Sequence, residues 1–284
     1  MQPDEQLLRQ VLDEAEIAYM LVHEGEHALA RLVATPSFEL TIEVQLPLLR
    51  VRAAAHLDAI DPQTDLPLLG EIARDWGIGN LAYDFEHARV VASVGLWAGT
   101  RASARRGLPG RLNALLAHLD EVLDAVAHHR PIVLAPPEAD PQDDSSNDSG
   151  PPPAAVTLDD LARVLDQAGQ PYRRMDHLSS LAFGASPPGV GPIVVHLVVV
   201  AGWLIGVRVL TLPPRRWPGD PTSSDIRLQA LNASLPWGML SLYRETQHCV
   251  FQGLIPMIAT RLDDELVEFL VHAAIDAAPL LVAP

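Results

Sequence analysis

Val11-Leu-Asp-Glu-Ala-Glu-Ile-Ala-Tyr19 and Val164-Leu-Asp-Gln-Ala-Gly-Gln-Pro-Tyr172 agree at five of nine positions without a gap. Each lies in a run with apolar residues at helical spacing. Leu7, Leu8, Val11, Leu12 and Ala15 form one set; Leu158, Leu161, Val164, Leu165 and Ala168 form the other. Such spacing lines up one stripe of a helix for burial. Two further matches follow in the same order. Leu49-Arg-Val-Arg52 aligns with Ile205-Gly-Val-Arg208, and Ile78-Gly-Asn-Leu-Ala-Tyr83 aligns with Trp237-Gly-Met-Leu-Ser-Leu242. Matches kept in order indicate duplication. A period this long means two tandem domains rather than a solenoid.

The shared plan follows from periodicity. An opening helix is expected over Asp4–Glu16. Its counterpart starts at Thr157, a capping residue with Asp160 three positions on. Phe38–Leu46 alternates apolar and polar residues, as a half-buried strand does, and Leu48–Ala54 returns as the next strand. Ile193–Val200 and Trp203–Leu212 form the matching pair, turning at Ala201-Gly202. Middle helices near Leu66–Trp76 and Ser224–Ala233 lead into glycine-marked turns. Strands Gly79–Glu86 and Arg89–Leu96, then Gly238–Arg244 and His248–Ile255, come next. Helices Arg111–His128 and Asp263–Ala277 close the halves. The expected class is α+β: two tandem domains, each an antiparallel sheet flanked by helices in the order α-β-β-β-α-β-β-α.

Pro136 to Pro153 has almost no apolar content and holds five acids and no base. Such a stretch cannot bury enough surface to offset its ordering entropy, so it reads as a linker. The expected organisation is 1–130, an acidic Pro/Ser-rich linker at 131–156, and 157–284. The whole chain of 284 residues has a formal charge of −16 and no lysine. Schiff-base and P-loop lysines are thereby excluded. The acidic balance argues against direct nucleic-acid binding, which relies on neutralising phosphates. One cysteine, Cys249, precludes an internal disulfide or a multi-cysteine zinc site and fits a reducing compartment. Ile193 to Leu212 is nearly long enough to span a bilayer, but its seven valines suit buried strands better. No membrane association is expected, and the location expected is cytoplasmic.

The pattern resembles the YbjN-type family, itself similar in fold to type III secretion chaperones. The resemblance rests on the Val-Leu-Asp-x-Ala helix end followed by Tyr19 or Tyr172. It rests also on the arginines of the hairpin (Arg50, Arg52, Arg208), the glycine turns before Tyr83 and Tyr243, and the long closing helices. It covers nearly the whole chain outside the linker, twice. It implies a non-enzymatic, dimeric domain that holds protein clients or modulates regulatory pathways, with no catalytic residues and no cofactor.

One motif points elsewhere. His23-Glu-Gly-Glu-His27 satisfies H-E-x-x-H. On a helix, His23 and His27 would share a face and bind zinc, with Glu24 as general base; His56 and His87 are third-ligand candidates. Gly25 disfavours that helix by about 1 kcal/mol. The aligned stretch Arg173–Ser180 keeps neither the histidine pair nor the glutamate. The segment reads better as a hairpin tip between Tyr19–Val22 and Ala28–Val33. A zinc-dependent hydrolase through His23, Glu24 and His27 is therefore the alternative, and the expected metal, catalytic and cofactor sites are none. His248-Cys249 alternates across a strand, so the thiol and imidazole point to opposite faces. Gly184–Gly191 lacks phosphate-loop spacing and reads as a turn. Arg101–Arg106 reads as a solvated basic loop, and His128-His129 as a helix end.

The function expected is a non-enzymatic chaperone-like or regulatory module. It would bind a protein client of basic character, such as a nucleic-acid-binding protein, through charge complementarity. Ile193–Val200 is apolar on both faces. Its second face needs a cover, from the first half or from a second copy, and a homodimer through the second half is expected.

Overall fold

Helix α1 (Pro3–Glu14) buries Leu7, Leu8, Val11 and Leu12, the stripe expected from their spacing. It ends at Glu16, whose φ is +57°. There Glu16 N–H donates to Asp13 O at 3.2 Å and Ile17 N–H to Leu12 O at 3.0 Å. Helix α4 (Leu158–Gln167) ends identically. Gly169 has φ +67°, its N–H reaches Asp166 O at 3.1 Å, and Gln170 N–H reaches Leu165 O at 3.0 Å. Both are Schellman closures, which satisfy the last carbonyls through one left-handed residue. The duplication thus reaches to single hydrogen bonds. The computed structural model describes residues 3–24, 27–32, 39–56, 63, 65–76, 78–100, 107–127, 155–215, 217, 220–235, 237–243, 245–246, 248–257 and 262–282. The acidic Pro/Ser-rich stretch, the Arg101–Arg106 loop and His128-His129 lie outside them.

The first half continues with β1 (Tyr19–Glu24), β2 (His27–Leu32), β3 (Glu39–Gln45), β4 (Leu48–His56), α2 (Asp65–Trp76), β5 (Asn80–Asp84), β6 (Arg89–Trp97) and α3 (Leu108–Ala127). The second half follows α4 with β7 (Arg173–Met175), β8 (Ser180–Ala185), β9 (Ile193–Val200), β10 (Leu204–Thr211), α5 (Pro221–Ser234), β11 (Met239–Tyr243), β12 (His248–Pro256) and α6 (Asp264–Ala277). The sheets run β1-β2-β3-β4-β6-β5 and β7-β8-β9-β10-β12-β11, wholly antiparallel and identical in topology. The class is α+β, as expected. Each half has four strands before its middle helix, one more than the order read from the sequence. In the first half the added strand belongs to the hairpin read at His23–His27; in the second, β7 is only three residues long, too short for a periodicity to show.

Alternation assigns the faces. In the first sheet, Leu40, Ile42, Val44, Leu49, Val51, Ala53, Ala92, Val94 and Leu96 point to one core, covered by α1 and α3. In the second, Ile193, Val195, Leu197, Ile205, Val207 and Val209 point to another, covered by α4 and α6. Thr157 caps α4 as expected. Its Oγ1 accepts from Asp160 N–H at 3.3 Å, and Asp160 Oδ2 accepts from Thr157 N–H at 3.0 Å. Among the described residues no helix is long and apolar enough to cross a membrane.

Candidate functional site

The two sheets meet through their other faces. Leu48 and Trp97 of the first sheet belong to the second half's core, while Val198, Leu204, Met239 and Leu254 of the second sheet belong to the first half's core. Trp97 is fully buried and lies against Phe269 of α6, with ring centroids 5.7 Å apart. Gly95, two residues earlier, makes this approach possible. A Cβ there would stand 2.8 Å from Trp237 Cδ1 and 3.0 Å from Leu48 Cδ1. The face of Ile193–Val200 for which the sequence required a cover is therefore closed at one end by the first half. Val198 is buried there, and Val200 is packed against the same core.

Polar groups finish the junction. Strand β5 is a sheet edge, with unpaired backbone groups that need partners. Tyr83 N–H donates to Gln229 Oε1 of α5 at 3.1 Å, and Asn80 Nδ2 donates to Asn232 O. Asn232 also closes the other edge strand: its Nδ2 donates to Leu240 O at 3.0 Å, and its Oδ1 accepts from Leu240 N–H at 2.7 Å. Arg50 Nη2 donates to Leu235 O at 2.9 Å, and Thr100 N–H to Glu265 Oε1 at 2.8 Å. Sequence reasoning missed this amide clamp. Its signal was present: α5 has no clear apolar stripe, and Gln229 and Asn232 flank Leu228 and Leu231. A helix wedged between two domains is buried on two sides and loses its amphipathic pattern.

A groove of about 390 Å³ runs between α4 and α6. Val164, Leu165, Ala168, Val267 and Val271 line its floor. Gln167, Gln170, Asp264, Glu268 and His272 stand around it. An apolar floor with an acidic, amide-rich rim can seat an amphipathic segment carrying basic residues.

The residues singled out by motif are dispersed. His23 pairs with Ala28 and Glu24 with His27 across a two-residue hairpin connection. The two histidines occupy positions of opposite parity on a sheet, not successive turns of a helix, which is what the zinc motif needs. His23 Nε2 lies 3.5 Å from Glu5 Oε2. His87 follows β5, at the opposite edge of the six-stranded sheet, roughly 20 Å away at strand spacing. It holds Asp84 Oδ2 at 2.9 Å. His56 lies on β4 in register with Arg89. No group of three histidine, cysteine or acidic residues is placed to hold a metal among the described residues. Cys249 is buried, and burial pushes its thiol up to about 12. A thiol so far from ionisation is not a nucleophile at neutral pH. His248, beside it, is half-buried and paired with Tyr243. Gly184 is the last but one residue of β8, and Pro187 to Val190 forms a turn closed at 3.2 Å.

Two buried polar groups were not foreseen. Trp76 Nε1 donates to His118 Nε2 at 3.1 Å inside the first core, and burial lowers the His118 pKa. Arg111, 2% exposed, donates from Nη1 to Trp97 O at 3.0 Å, and burial brings its pKa down to about 10.

No protein-family model matches this chain, and no curated protein matches it. Among solved structures, the chain is similar to YbjN from E. coli, described as a proposed transcription regulator. The identity is 17%, over 46% of this chain and 97% of that one, with a TM-score of 0.30.

Proposed function

We propose that this chain is a non-enzymatic protein-binding module, chaperone-like or regulatory, that seats a basic amphipathic segment of a client protein. The observation that supports it best is the groove between α4 and α6, with its apolar floor and the carboxylates of Asp264 and Glu268 at its rim. The wider acidity of the chain, −16 in all, would steer such a client toward it. Val164 and Val271 are only half-buried, so changing them should spare the fold. The test is parallel affinity capture by the wild-type chain and by a Val164→Asp, Val271→Asp variant. Each protein held by the first and lost from the second is then purified and titrated directly. At least a tenfold weaker affinity for the variant is expected. Clients held equally by both, or binding unaffected by salt, would sink the reading.

Self-association would use the uncovered end of the second sheet's outer face. Val194 and Leu210, in register across β9 and β10, form a half-buried pair there. Leu212 and Tyr243 stand beyond it, 49% and 42% exposed. A dimeric mass by light scattering that falls to monomer in Leu212→Glu is expected. A monomeric wild type would confine the pairing to the two halves of one chain.

A further inference from the structure

The outer face of the first sheet carries Arg31, Arg50, Arg52 and Arg89 against Glu39, Glu43 and Asp84. Three of the four arginines are committed. Arg31 pairs with Glu39 at 2.8 Å. Arg50 holds Glu43 at 3.0 Å and Leu235 O at 2.9 Å. Arg89 holds Asp84 at 3.3 Å and Glu39 at 3.4 Å. Arg52 is different. Its guanidinium makes no hydrogen bond among the described residues; its Nε is buried without an acceptor, as are those of Arg50 and Arg208, but those two have other hydrogen-bond partners. The nearest carboxylate oxygen is Asp84 Oδ2, at 3.9 Å. That carboxylate is already occupied by Arg89, the His87 ring and the backbone N–H groups of Glu86 and His87.

We propose that Arg52 is the centre of an oxyanion-binding site that takes one carboxylate or phosphoryl group. Its side chain is 31% exposed, so a ligand can reach it from solvent. Its cross-strand neighbours are Thr41 and Ser93, and the row continues through Ser93 to Asn80 and through Thr41 to Arg31. Thr41, whose Oγ1 donates to Arg52 O at 3.5 Å, and the buried Ser93 thus flank a fork of donors whose geometry matches two oxygens of one anion. Burial, with the charges of Arg50 and Arg89, pulls the Arg52 pKa below its ordinary value.

The second half supplies a comparison inside the molecule. Arg208 takes the place of Arg52 in the second sheet, between His196 and Gln252. Its Nη2 donates to Gln252 Oε1 at 3.0 Å. The protein provides an acceptor there, where the first half has Ser93. The assignment needs no protein partner and is independent of the client reading.

The experiment follows arginine Nε–Hε resonances of the full chain during titration with inorganic phosphate, and separately with acetate, at constant ionic strength in chloride. The Arg52 signal is identified by its loss in Arg52→Lys. A saturable shift of that signal with a millimolar midpoint is expected, larger than at exposed Arg9 or Arg163. The tighter anion tells whether a phosphoryl group or a carboxylate is the natural occupant. Arg52→Lys keeps the charge but loses the fork. It should weaken anion-induced thermal stabilisation at least tenfold, and Arg208→Lys should leave it unchanged. No shift, or a linear drift shared by Arg9 and Arg163, would overturn the proposal. So would equal stabilisation of wild type and Arg52→Lys.

Discussion

The two halves have one topology and different surfaces. The outer face of the first sheet is a lattice of arginines and carboxylates: Arg31 with Glu39, Arg50 with Glu43, Arg89 with Asp84. On the second sheet the positions matching Arg31, Glu39, Arg50 and Glu43 hold Ala182, Val194, Gly206 and Val198, and one arginine, Arg208, stands where the first sheet has Arg52. After duplication, both faces no longer need to serve one purpose. One end of each face is spent on the other half, around Trp97 and Leu204. The remaining ends diverged, one toward charge and one toward apolar surface. On its helical side the second half carries an open apolar groove between α4 and α6.

The largest expected effect tests whether the halves depend on each other. Trp97 is wholly buried in the neighbouring half's core, so Trp97→Ala should cost about 3–5 kcal/mol, the range for large aromatic truncations. Urea unfolding measures it. A loss no greater than that at an exposed site would mean that the halves are stable separately. Next comes the amide clamp. Gln229→Ala leaves the buried Tyr83 N–H without its acceptor and should cost about 1–3 kcal/mol. Hydrogen exchange at Tyr83 should quicken with it, while Leu240, held by Asn232, keeps its protection.

Helix ends give a smaller effect with opposite signs in the two halves. Glu16 and Gly169 share one left-handed conformation, and nothing crowds a Cβ at Gly169. Gly169→Ala should destabilise by about 1 kcal/mol, and Glu16→Gly should stabilise by up to about that amount. Equal behaviour of the two sites would show that Glu16 has a compensating role.

The mildest effect is in pH. Each half holds one histidine toward its neutral form: His118 by burial in the first core, His196 by burial and the Arg208 charge in the second. The unfolded chain takes up these protons as pH falls through about 6.5, before the native chain does. Stability is therefore whole above that pH and falls as pH drops toward the lowered native values, then levels. His118→Gln keeps an acceptor for Trp76 and should flatten part of that slope. An unchanged slope would place the acid sensitivity elsewhere.

Helix stripes, capping at Thr157, alternation in Glu39–Gln45 and the duplication were legible along the chain. These follow from contacts between residues near in sequence, or from the period at which a regular element meets a core. The hairpin reading of His23–His27 was legible for the same reason, since Gly25 and the alternation around it are local. The short β7, the clamp of Gln229 and Asn232, and the missing hydrogen-bond acceptor of the Arg52 guanidinium were not. Arg52 and Arg208 sit in aligned tetrapeptides, and no local rule tells them apart. They differ because Ser93 faces one and Gln252 faces the other from strands about forty residues away. The cover of Ile193–Val200 was equally open, since an apolar second face demands a partner without naming it. Tertiary packing chose the first half for one end of that face, because Gly95 lets Trp237 come close enough for the two sheets to share their cores.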